Sequence, residues 1–196
     1  MMKGLRKGFY QPLVPELLSR HWRIIAFALA LFLPPLLFLP VWSLKLAGCF
    51  LVVELVVLAV LDGYYGFLYD RLLLPLGIAG ILLEVFRILP YGLDEALASA
   101  TAAGGSFLLL RILSSGGMGW GDVKFAAVLG LWLGAEGTLT AVFLAVLAGG
   151  LTALFMLFKG RDRESEIPFG PFLAVGAYAS YLWGSCLWQW YWGLLL

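Results

Sequence analysis

Charge is scarce in this chain: Asp, Glu, Lys and Arg make up 13% of its 196 residues, against 62% apolar ones. That balance lies far from a water-soluble globular domain and excludes the functions such domains serve. Histidine occurs once and cysteine twice. His21 stands beside Arg20 and Arg23 in a basic stretch, which suits a lipid headgroup contact better than catalysis. Cys49 and Cys186 sit in separate apolar stretches with no CxxC spacing and no nearby histidine. Neither zinc nor a disulfide is therefore expected, and each reads as a small packing residue. No metal, no cofactor and no nucleic-acid partner are expected, and the formal net charge of +1 says little by itself, since in a membrane protein the placement of Lys and Arg matters more than their sum. Internal repeats and low-complexity linkers are also missing. Once the apolar runs are counted, few residues remain for a folded aqueous domain.

What the chain has is apolar length, with a mean hydropathy of +0.96. Residues 1–23 form a basic segment carrying Lys3, Arg6, Lys7, Arg20 and Arg23, without the small-residue cleavage site of a signal peptide. Residues 24–196 read as one membrane-embedded domain. Its first apolar run, 24–43, contains Pro34, Pro35 and Pro40 and should be bent or broken. Further runs cover 45–61, 72–90 and 93–113. A glycine-rich link over 114–121 leads to Asp122. The stretch 123–158 is interrupted by Gly134-Ala135-Glu136-Gly137, which predicts two helices around a short turn, the first of them short. After a charged loop at 159–166 comes a last span to about Trp190, rich in the aromatics of an interface belt. The expected fold is all-α, a polytopic transmembrane helix bundle of about seven spans.

Charge placement orients it. With the N-terminus inside, eleven of the 13 Lys and Arg residues lie at or near the cytoplasmic face, leaving Lys45 and Arg87 toward the other. The same topology brings Asp62, Asp70 and Asp122 to that face from different helices, and puts Thr138 outside. Ionisable groups at membrane depth cost about 2.5 to 3.5 kcal/mol on insertion scales, so each asks for a reason. Glu84 has Arg87 three residues on, which predicts a structural ion pair. Glu54, mid-span, is read as structurally hydrogen-bonded. Asp122 follows Gly119 and Gly121, whose missing Cβ atoms allow close backbone approach beside the carboxylate. A flexible turn followed by an acidic helix start fits the same residues.

Gly119-Trp120-Gly121-Asp122-Val123-Lys124, with Leu129 to Gly134 behind it, resembles the GxGD segment of type IV prepilin peptidases. Ile167-Pro168-Phe169-Gly170-Pro171 resembles their IPFGP segment. Asp62 to Asp70, before Leu74-Pro75-Leu76, resembles their first-aspartate segment. Tyr69 stands where the family commonly has proline, and Gly63 to Tyr65 lack a further acidic residue. The resemblance spans roughly residues 24–180. It implies a membrane aspartyl endopeptidase with Asp62 and Asp122 as catalytic pair, and Gly119, Gly121, Lys124 and Asp70 as active-site support. Pro168, Phe169, Gly170 and Pro171 are then substrate-binding or structural. The implied partners are membrane lipid and prepilin-like proteins with a basic leader and an apolar N-terminal helix, cleaved at the cytoplasmic face of a prokaryotic membrane. Paired CxxC motifs of the family's methylating members are not found, so methyl transfer is not expected. Within the first-aspartate segment Asp62 is preferred because it ends a rigid helix, whereas Asp70 has Arg71 beside it. Three alternatives differ in the residues they use. A presenilin-like or signal-peptide-peptidase-like intramembrane protease would take Asp70 through Tyr69-Asp70. A proton-coupled transporter would use Glu54 and Glu84. An inactive scaffold would use none.

Overall fold

The computed structural model describes residues 30–115, 117–159 and 168–195. The basic N-terminal segment, the start of the first apolar run and most of the 159–166 loop lie outside them. Every regular element among the described residues is helical.

A short helix α1 (Leu33–Phe38) starts on Pro34 and Pro35, where a missing N–H costs nothing, and stops at the extended Leu39 ahead of Pro40. The expected break in the first run is thus present. Helix α2 (Trp42–Tyr65) runs uninterrupted for 24 residues and ends on Gly66 at φ 67, whose N–H returns to the Asp62 carbonyl at 2.8 Å. Helix α3 (Asp70–Val85) carries Pro75 in its interior, and α4 (Leu93–Leu113) has Asp94 and Glu95 in its first turn and Arg111 in its last, each sign matched to the helix dipole. Helix α5 (Trp120–Phe158) is broken at Gly134, whose φ 62 and ψ −172 no residue with a Cβ adopts comfortably. Helix α6 is Gly170–Leu195.

The break at Gly134 turns α5 into a hairpin. Its first half runs down α4, with Gly130 so close that a Cβ there would stand 2.5 Å from Ala100 Cα. Gly134 meets Tyr91 and Glu95 at the start of α4. The second half returns along α6, where the Ser180 hydroxyl donates to the Gly137 carbonyl at 2.6 Å and Gly149 meets Phe172 and Phe169. Close approach over small residues substitutes for the hydrophobic drive that lipid cannot supply. Trp132, fully buried, donates its indole N–H to the Leu76 carbonyl at 2.9 Å and so ties this layer to α3.

Outward faces are apolar. On α2 the exposed residues Leu46, Phe50, Val53 and Val57 recur at helical spacing, a stripe that water would not tolerate over such a length. Among the described residues three helices are long and apolar enough to cross a membrane: α2, α4 and α5. At 16 residues α3 falls short of that length, and Gly, Ser, Tyr and Trp dilute the hydropathy of α6. The first half of α5, residues 120–133, reaches only about 20 Å.

Candidate active site

The ends of α2 and α4 and the starts of α3, α5 and α6 gather at one end of the bundle. Asp62 lies in the last turn of α2 and is 6% exposed. Its Oδ2 accepts a hydrogen bond at 2.9 Å from the backbone N–H of Gly170, the first residue of α6. Asp122 lies half-buried in the first turn of α5, behind an extended Gly119. The carboxylate whose charge acts on Asp122 is that of Asp62. Two helices distant in sequence thus bring two carboxyl groups into each other's field.

The glycines of this segment make the approach possible. A Cβ on Gly121 would stand 2.6 Å from the Cβ of Leu68, a buried residue of the α2–α3 connection, so the start of α5 lies directly on that connection. A Cβ on Gly119 would come within 3.1 Å of Asp122 Oδ2. Asp70 is engaged elsewhere. Both its oxygens lie 2.7 Å from Lys124 Nζ, linking the first turn of α3 to the first turn of α5. Lys124, expected to steady an intermediate or reach a headgroup, is engaged by Asp70. Arg71, the partner expected for Asp70, is not its partner, because adjacent residues on a helix point to different sides.

The motif preceding α6 reaches the same place. Phe169 lies with its ring centroid 6.1 Å from that of Phe107 on α4, Pro168 is half-buried, and a Cβ added to Gly63, next to Asp62, would stand 3.8 Å from Pro171 Cγ. Beside them an apolar groove of about 260 Å³ runs between α2 and α6, lined by Val56, Ala59 and Val60 on one side and Ala174 and Val175 on the other. It begins one turn from Asp62.

Arg111, one of the eleven basic residues that orient the chain, also has a structural task. Its guanidinium donates to the Met118 carbonyl and lies 4.8 Å from the centroid of the Trp120 ring, pinning the glycine-rich link ahead of Asp122. Its position in the last turn of α4, just before that link, was the available signal.

Two acidic readings need correction. Glu84 does not pair with Arg87: α3 ends at Val85, Arg87 has left the helix at φ 53, and Glu84 Oε2 instead accepts from Gly92 N–H at 2.9 Å. Glu54 is half-buried, and its Oε2 is buried with no hydrogen-bond partner, so the hydrogen bonding expected of the side chain does not extend to that oxygen. Cys49 is half-buried and Cys186 exposed, so only the first fits a packing role. Among the described residues no group of three His, Cys, Asp or Glu side chains could hold a metal ion.

Residues 49–154 match the type IV leader peptidase family, a segment that includes Asp62, Asp70, Asp122 and Lys124. The chain is 36% identical over 169 residues to a prepilin leader peptidase/N-methyltransferase of Burkholderia pseudomallei, covering 83% of this chain and 52% of that protein. Proteins of the same name from Xanthomonas campestris and Bacillus subtilis are 34% and 31% identical, over 71% and 70% of this chain and 49% and 55% of theirs. The chain therefore spans about half the length of these curated relatives. No solved structure matches it. With more than half of its length matched, Asp62 and Asp122 included, the chain belongs to the type IV leader peptidase family.

Proposed function

We propose that this chain is a membrane aspartyl endopeptidase that removes the basic leader peptide from prepilin-like proteins at the cytoplasmic membrane face. The observation that carries it is that Asp62, in the last turn of α2 and held by Gly170, and Asp122, in the first turn of α5, lie at the same end of an apolar helical bundle, within electrostatic reach of each other. Two neighbouring carboxyl groups do not both ionise freely, so the pair holds one proton between them. The ionised member takes a proton from a water as that water attacks the scissile carbonyl. The protonated member donates to the carbonyl oxygen, and the proton reaches the leaving amine as the tetrahedral intermediate collapses. Titration belongs to the pair rather than to either residue.

The substrate fits the surroundings. A leader junction at the membrane surface would reach the dyad, while the apolar helix that follows it would lie along the groove between α2 and α6, whose lining is apolar. On this reading the apolar run 24–43, α3, both halves of α5 and α6 join α2 and α4 to give seven spans in a prokaryotic cytoplasmic membrane, the shorter ones packed inside the bundle. Lipid surrounds them.

Asp62→Asn and Asp122→Asn should each abolish leader cleavage in membranes containing wild-type amounts of inserted protein, because one chemical step needs both groups. Full activity in either variant sinks the dyad.

A further inference from the structure

The N–H groups at the start of α6 can be accounted for one by one. Pro171 has none. Those of Phe172 and Leu173 both return to the Phe169 carbonyl at 3.1 Å. Only that of Gly170 is left to reach beyond its own segment, and it goes to Asp62 Oδ2 at 2.9 Å. This matters to Asp62 for a reason rooted in its own helix. A carboxylate in the last turn of α2 faces the negative end of that helix's dipole, and the positive end of α6 offsets it. The site leaves no room for a side chain on the donor, since a Cβ at Gly170 would stand 2.5 Å from Oδ2 and 2.8 Å from Cγ of Asp62.

We propose that Gly170 is a positioning residue, whose N–H fixes the Asp62 carboxyl group in the orientation that reaction with Asp122 requires. Pro171, having no N–H, leaves that donor without a competitor at its side. The proposal rests on the dyad reading and assigns the Pro-Phe-Gly-Pro segment a task in aligning the acid rather than in gripping substrate.

Gly170→Ala should lower kcat on the order of 100-fold, the cost of roughly 1 Å of misplacement, while KM for a prepilin-like substrate stays within about threefold. A matched control is Gly48→Ala, another crowded contact between α2 and α6, where a Cβ would meet Tyr181 at 2.8 Å and Pro35 at 3.1 Å. It should lower thermal stability while keeping kcat per folded molecule. Equal kcat in Gly170→Ala and wild type, or a loss matched by Gly48→Ala at the same stability cost, overturns the proposal. Should Gly170→Ala fail to fold, the bond itself is readable in protein carrying the native glycine, by ¹⁵N-glycine labelling. The Gly170 amide proton should move upfield and exchange faster in Asp62→Ala than in Asp62→Asn, which keeps an acceptor. An amide unchanged in Asp62→Ala refutes the bond. Activity in Asp62→Asn, by contrast, would refute the dyad and leave the amide result standing.

Discussion

At the scale of single residues the sharpest choice is between Asp62 and Asp70 as the working partner of Asp122. Asp62 is buried, fixed by a backbone donor on another helix and felt electrostatically at Asp122. Asp70 is exposed and held by Lys124. With side chains 48% and 66% exposed, that ion pair is worth at most about 1 kcal/mol. It is better read as a strut between the first turns of α3 and α5. Asp70→Ala should then reduce turnover about tenfold, roughly 1.4 kcal/mol of transition-state stabilisation, whereas Asp62→Ala should leave none detectable. Lys124→Met should resemble Asp70→Ala, and the double variant should be little worse than either single one, because all three break the same link. An inactive Asp70→Ala beside an active Asp62→Ala would favour the presenilin-like assignment through Tyr69-Asp70.

At the scale of helices, the sequence signals that held were those carried by backbone chemistry. Pro40 ends α1, and Gly134 breaks α5 where Gly134-Ala135-Glu136-Gly137 predicted a turn. What was not legible was which faces meet. Glu84 seemed paired with Arg87 because a continuing helix was assumed, and nothing in the pattern showed that the helix would end at Val85. The links of Lys124 to Asp70 and of Gly170 to Asp62 join residues 54 and 108 positions apart. Helices apolar on all sides carry no stripe to say which side turns inward. Glycine positions separate these cases experimentally. Gly134→Ala should cost about 1 to 3 kcal/mol in detergent unfolding, since a Cβ is strained at that φ and ψ and would also meet the Tyr91 ring at 2.7 Å. Gly105→Ala, inside α4 with nothing within 4 Å of the added carbon, should cost nothing. Equal stabilities for the two would mean that the hairpin does not turn at Gly134.

At the scale of the whole molecule, the gathered helix ends fix a polarity that labelling can read. Arg71, Arg111, Lys124 and Lys159 belong to the end that holds Asp62 and Asp122, whereas Lys45, Arg87, Asp94, Glu95 and Glu136 belong to the other. In the proposed orientation the face richer in Lys and Arg is the cytoplasmic one, where a basic leader would be presented. Thr138, expected at the outer loop, is buried with its hydroxyl donating to the Gly134 carbonyl at 2.6 Å and would not react with a probe. Exposed Glu136 beside it serves instead, and exposed Ser115 reports the site end. A cysteine-free background made by Cys49→Ser and Cys186→Ser should retain proteolysis, as both thiols are free of any bridge. In that background a membrane-impermeant maleimide should label Ser115→Cys in inverted vesicles and Glu136→Cys in intact cells. The reverse pattern would put the two aspartates on the outer face, where a leader peptide still attached to an uncleaved precursor could not reach them.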